Sequence, residues 1–224
     1  ICLFSATDND MLNAKTGDWY IKNPQRGRSN NSVILIRNKT SKELFSKIME
    51  SVKSWGEPGF VWSSNEDIIY NPCVEIGMTP YYIDENENKI SGWEGCNLTE
   101  INGSKCNSEQ EFYDACKASA ILGTLQAGYT NFKYVTDVTK KIFDKEALLG
   151  CSITGFMNNP VILFNPEIQK KGAEIIKETN KIISLLIGIN QAARTTCVKP
   201  SGNASVILGT ASGIHGEHSK KYFR

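Results

Sequence analysis

"SVILIRNKTSKELFSKIMESVKSWGEPGFVWSS", residues 32–64, decides the fold class. Its opening, "SVILIR" (32–37), is short, rich in β-branched residues and bounded by Asn31 and Asn38, which predicts a strand. "TSKELFSKIMESVKSWG" (40–56) predicts a helix. Thr40 and Glu43 have capping-box spacing, and Gly56 is a natural stop. "GFVWSS" (59–64) is extended again.

The alternation continues along the chain. Residues 108–128 predict a second helix, opened by Ser108 and Glu111 and apolar almost all round, hence buried. "GCSITGF" (150–156) is a strand. Residues 166–188 form a long amphipathic helix between Pro166 and Gly188, with Ile168, Ile175, Thr179, Ile182, Ile183 and Leu186 on its apolar stripe. "TTCVK" (195–199) is a further strand. Strands alternating with helices predict an α/β fold, with chemistry on the loops at strand ends. The polar and Gly/Pro-rich loops are 22–31, 70–80, 92–103 and 200–218.

Composition excludes several classes. The 224 residues are 40% hydrophobic and 22% charged, ordinary for a globular chain. A net charge of +1 gives no support for nucleic-acid binding. No apolar run reaches the roughly 18–20 residues of a membrane span. Seven scattered cysteines without a CxxC pair fit neither a zinc site nor a disulfide scaffold, so no metal is expected and a reduced, cytoplasmic protein is. The chain starts Ile1-Cys2-Leu3 and stops at Tyr222-Phe223-Arg224, and is expected to be a piece of a longer polypeptide.

Four stretches carry candidate chemistry. In "YNPCVEIG" (70–77), an extended chain would point Asn71, Cys73 and Glu75 the same way, an amide, a thiol and a base facing one substrate. Alone, the pattern equally describes a strand with a buried cysteine, which is the commoner case. "EGCNLTEING" (94–103) places Cys96 in a Gly-rich turn entering a strand. "KPSGNASVILGTASGIHGEH" (199–218) presents small residues ahead of an apolar run, as a phosphate cradle does and as an ordinary tight turn also does. "TGDWYIKNPQRGRSNNS" (16–32) crowds Gln25, Arg26, Arg28, Asn30 and Asn31 into one loop, a nucleotide contact or a solvated surface.

Taken together, "NPCVEIG", "GCNLTEING", "ALLGCSITGFMNNP", "INQAARTTCVKPSG" and "KPSGNASVILGTASGIHG" resemble, in order, the catalytic barrel of ribonucleotide reductases, most of all the adenosylcobalamin-dependent, monomeric-type branch. The resemblance covers nearly the whole chain. It implies that residues 1–224 are the central part of one catalytic domain, a partial ten-stranded α/β barrel with a central finger loop. It implies reduction of ribonucleotides, expected as ribonucleoside triphosphates, to 2′-deoxyribonucleotides for DNA synthesis by a thiyl-radical mechanism, with adenosylcobalamin as cofactor.

Residue by residue, Cys73 matches the thiyl cysteine, Glu75 the carboxylate that takes the 3′-hydroxyl proton, Asn71 the amide that orients the ribose, and Cys96 one of two reducing cysteines. The other reducing cysteine is expected outside this chain. Ser201, Gly202, Asn203, Ala204 and Ser205 match the substrate-phosphate loop. Gln25, Arg26, Arg28, Asn30 and Asn31 match the specificity loop. The implied partners are a ribonucleotide, a deoxynucleotide or ATP effector and a thioredoxin-type reductant, with neither nucleic acid nor membrane. Asn203 stands where the family usually has Thr, and "GIHGEH" replaces its "GIHPHH". Two other outcomes are a nucleotide-binding segment that keeps the fold without catalysis, and a reductase served by a separate radical-generating subunit. The isolated piece is expected to be inactive and poorly soluble.

Overall fold

A computed structural model describes residues 2–219 and 221. The chain divides into two compact units, Ile1–Val74 and Glu75–Arg224.

In the first unit, β1 (Cys2–Ser5), β2 (Asn31–Ile36) and β3 (Gly59–Ser63) form a parallel sheet in the order β1-β2-β3. Parallel neighbours need crossovers. The one between β2 and β3 is α1 (Lys42–Trp55). Its cap is Ser41, whose hydroxyl accepts the Leu44 N–H at 3.1 Å, and not Thr40. The Thr40 hydroxyl instead donates back to Ile36 O at 2.9 Å, closing the end of β2. Gly56 ends the helix at φ 71°, a left-handed conformation that glycine adopts without a Cβ penalty. Phe4, Val33, Leu35 and Ile48 form the core between sheet and helix. Lys15 is drawn inside as well, where its ammonium donates to Ser29 O at 2.6 Å and pairs with Glu57 at 2.8 Å.

The second unit contains a hairpin of β4 (Tyr81–Ile83) and β5 (Lys89–Ser91), then β6 (Asn97–Asn102), α2 (Glu109–Ala127), α3 (Asp137–Glu146), β7 (Leu149–Thr154) and α4 (Pro166–Ile187). β6 and β7 pair in parallel, with Asn97 opposite Leu149. Residues 194–199 run along the other side of β7 but form only one bridge, Cys151 with Thr196. The Leu149 and Cys151 amides, two residues apart, donate to the carbonyls of Arg194 and Thr195, which are adjacent. That mismatch breaks the regular strand expected at 195–199.

The helix pair corrects two expectations. α2 is not apolar all round: Phe112, Cys116, Ala120 and Ala127 are buried, while Leu122 and Leu125 are exposed. On α4 the buried stripe is Ile168, Gly172, Ile176, Thr179, Asn180 and Ser184, whereas Ile182 and Leu186 face outwards. Close approach explains the choice. A Cβ at Gly172 would lie 2.8 Å from Phe112 Cε1, so only glycine admits that ring. Asn180, fully buried, donates to Thr124 Oγ1 at 2.9 Å and accepts from the Ala192 N–H at 3.0 Å. Satisfied amides can be buried where longer apolar side chains would hold the helices apart.

Candidate active site

The segment carrying Cys73 is a turn rather than an extended strand. Its Val74 N–H donates to Asn71 O at 2.9 Å. Pro72 presets the bend at the second position of that turn. Val74 lies at φ 66°. That is an outlier for a β-branched residue, and such strain concentrates at functional sites. The alternation that would align Asn71, Cys73 and Glu75 therefore does not hold. Asn71 is buried and Cys73 is exposed.

Glu75 enters the second unit with its side chain only 3% exposed. Its Oε1 accepts from Lys199 Nζ at 3.2 Å. Its Oε2 is buried and has no hydrogen-bond partner among the described residues. Cys96 and Cys197 pack with Ile76, Met78, Leu98 and Leu148 in the same neighbourhood. Burial pushes the Cys96 thiol up, the Glu75 charge adds to this, and Lys199 opposes it. Cys197 is pushed up to about 12, again mainly by burial, then by Glu75 and Cys96. A raised thiol keeps its S–H bond at neutral pH, which suits hydrogen and electron donation better than nucleophilic attack. Beside Cys197, an apolar cavity of about 440 Å³ is lined by Phe112, Cys116, Cys151 and Ile176.

Glu94, two residues before Cys96, binds the Thr79 N–H through Oε2 at 2.6 Å, while its Oε1 is buried without a hydrogen-bond partner among the described residues. Burial is the main reason its carboxyl is raised from 4.5 to about 7. The Glu146 charge also raises it, and the Thr79 N–H, Arg194 and Lys145 pull the other way. A raised carboxyl favours the fold when protonated. This contribution is full below about pH 4.5 and is lost as the pH rises through about 7. The melting temperature is expected to fall between pH 5 and pH 8, and Glu94→Gln should flatten that slope. Parallel melting curves of the two proteins check this; equal slopes would refute it.

The small-residue loop folds into α5 (Gly202–Leu208), with Ser201 ahead of it at φ 63°. Gly202 and Asn203 are exposed, and a Cβ on Gly202 would meet nothing within 4 Å. Ser201 is 1% exposed and its hydroxyl has no hydrogen-bond partner among the described residues. Ser205 differs from the other four: its N–H donates to Ser201 O at 3.1 Å and its hydroxyl to Gly202 O at 2.9 Å. The first three amides of a helix have no such internal acceptor, so the loop's open donors belong to Gly202, Asn203 and Ala204.

The 22–31 loop is partly structured. Pro24–Arg28 form a 3-10 turn. Gln25, Arg28 and Asn30 are exposed. Arg26 donates to Ala14 O at 2.7 Å, which commits part of its guanidinium to the fold. Asn31 is buried at the start of β2, paired with Cys2, so it belongs to the sheet and not to the loop.

No protein-family model matches the chain. Among curated proteins it is 26% identical to the probable adenosylcobalamin-dependent ribonucleoside-triphosphate reductase of Dictyostelium discoideum, over 92% of this chain and 28% of that protein. It is also 26% identical to the adenosylcobalamin-dependent ribonucleoside-triphosphate reductase of Euglena gracilis, over 80% of this chain and 25% of that protein. Among solved structures, a B-12 dependent (class II) ribonucleotide reductase matches with a TM-score of 0.70 at 21% identity, covering 95% of this chain and 34% of that one.

Its relatives are ribonucleotide reductases.

The chain spans about a quarter of the length of these two curated reductases. The structural match shares the mixed α/β fold with parallel strands. Relative to the family motifs, sequence reasoning missed Lys199, Cys197 and Glu94. Lys199 had a visible signal, as a lone cation at the entrance to a phosphate-type loop. Cys197 and Glu94 had none, because their burial beside the site depends on the packing of β7 and the 77–80 segment.

Proposed function

We propose that this chain is the central part of a ribonucleotide reductase catalytic domain, cut from a ten-stranded α/β barrel whose finger loop carries Cys73. The whole enzyme reduces ribonucleoside triphosphates to 2′-deoxyribonucleotides for DNA synthesis. The observation that carries this reading is Glu75: a buried carboxylate with one oxygen held by a lysine and the other unpartnered among the described residues. A substrate hydroxyl is the partner that such an oxygen lacks.

In this reading a thiyl radical on Cys73 takes the 3′ hydrogen of the ribose, Asn71 orients the hydroxyls, and Glu75 Oε2 accepts the 3′-hydroxyl proton. The 2′-hydroxyl leaves as water, and Cys96 with a second cysteine supplies the two electrons as a disulfide forms. Ser201 and the open amides of Gly202, Asn203 and Ala204 hold the phosphates. Gln25, Arg28 and Asn30 contact an effector nucleotide, and a thioredoxin-type protein restores the thiols.

Adenosylcobalamin, when bound, supplies the radical equivalent. An exposed thiol in a strained turn fits the receiving end of that exchange. We assign no residue here to the cofactor itself.

The test is an assay of the full-length gene product with labelled CTP and CDP, dithiothreitol as reductant, and adenosylcobalamin present or absent. Cobalamin-dependent dCTP is expected. Product formed only with a separate radical-generating subunit would replace the cofactor assignment, and no product under either condition would leave a nucleotide-binding homologue.

A further inference from the structure

Lys199 has no part in the reaction as written above, yet both its backbone and its side chain are held beside Glu75. Its N–H donates to Ser152 Oγ at 2.9 Å, and Ser152 is buried on β7. Pro200 follows and restricts the backbone. The Pro200 carbonyl accepts from Ser212 Oγ at 2.8 Å, and a Cβ on Gly213 would come within 2.9 Å of Lys199 O. The backbone at Lys199 is thus clasped between a strand and the 212–213 turn. From that anchor the side chain, 20% exposed, runs to Glu75 Oε1.

An ion pair this sheltered is a poor source of stability, because desolvation offsets much of its attraction. Its geometry is more informative. A carboxylate can accept through both oxygens, and here the lysine engages one and leaves the other bare. The same lysine begins the loop that ends at Ser201 and α5.

We propose that Lys199 is a positioning residue: it pins Glu75 so that Oε2 faces the substrate hydroxyl, and it ties the carboxylate to the loop that seats the phosphates. This rests on the reductase reading above. Its electrostatic consequence does not, since Lys199 also opposes the Glu75 charge felt by Cys96.

Two measurements on the full-length protein separate these claims. In steady-state turnover, Lys199→Met is expected to lower kcat roughly 100-fold, the cost of a misplaced reacting group, with KM little changed. Lys199→Arg should recover at least about a tenth of wild-type kcat, because the charge is kept although the geometry changes. The double variant with Glu75→Gln should be no worse than Glu75→Gln alone. Wild-type kcat in Lys199→Met, a loss confined to KM, or fully additive losses would each overturn the proposal.

The second measurement needs no turnover: the rate of Cys96 alkylation at pH 8, read by peptide mass spectrometry on protein shown to be folded. Lys199→Met should slow it about threefold, Glu75→Gln should speed it, and the double variant should fall between. An unchanged rate in Lys199→Met overturns the placement of the Lys199 charge beside Glu75 and Cys96, and with it the pinning. Expected alkylation rates in a protein without reductase activity would instead support the pinning and sink only the reading of the reaction.

Discussion

Cys73→Ser is expected to abolish deoxynucleotide formation, to below roughly 10⁻⁴ of wild type, while nucleotide binding and the melting temperature stay nearly unchanged. The two side chains are close in size and the site is exposed, so little packing is at stake. The chemistry is at stake instead. An S–H bond is weak enough to give and recover a hydrogen atom in a cycle with a ribose C–H bond, and an O–H bond is too strong. Single-turnover assays with labelled nucleotide, alongside equilibrium binding of the same nucleotide, provide the check. Residual turnover above about one per cent of wild type would remove Cys73 from the radical role and redirect the search to Cys96.

Phe112→Ala carries the largest expected effect on stability, a loss of about 3–5 kcal/mol. Phe112 is 1% exposed and lies against Gly172, with its ring edge where a Cβ on that residue would be. It also lines the 440 Å³ cavity, so truncation enlarges an existing void. Such a site collapses poorly, because α2 and α4 are already tied at their separation by the Asn180–Thr124 hydrogen bond. Against a typical total of about 5–15 kcal/mol, the loss is large enough to shift the denaturant midpoint well outside error. A change under about 1.5 kcal/mol would mean that α2 and α4 close over the gap.

Local signals in the sequence were faithful where local physics decides. β2 followed from β-branched residues between asparagines, α2 from Ser108, and α4 from Pro166 and Gly188. Partners set by packing were not legible. Periodicity placed Ile182 and Leu186 in the core of α4, but Gly172 and Asn180 allow a closer seam and rotate the stripe. The capping box at Thr40 failed because Ser41 competed for the same end of the helix and won.

The geometry of the candidate site was not legible. "NPCVEIG" offered an amide, a thiol and a carboxyl, yet the i, i+2, i+4 argument assumed an extended chain where a turn closes between Asn71 and Val74. Asn31 was assigned to the wrong element for a similar reason, since sheet pairing with Cys2 starts one residue earlier than the apolar run suggests. The Glu75–Lys199 contact joins residues 124 positions apart, which no pattern in the chain reports.

The amide of Ala192 is fixed to Asn180 and that of Lys199 to Ser152, so the chain between them is a measured strip with both ends fastened. Along it the Ala193 amide is held by Glu146 O and Cys197 by Cys151 O. With both anchors fixed, one residue added or removed would displace the lysine along the strip, and it would no longer reach Glu75 from its place beside Ser152. Substitutions are the changes this stretch can absorb; a single-residue insertion or deletion within 193–198 is the one it cannot.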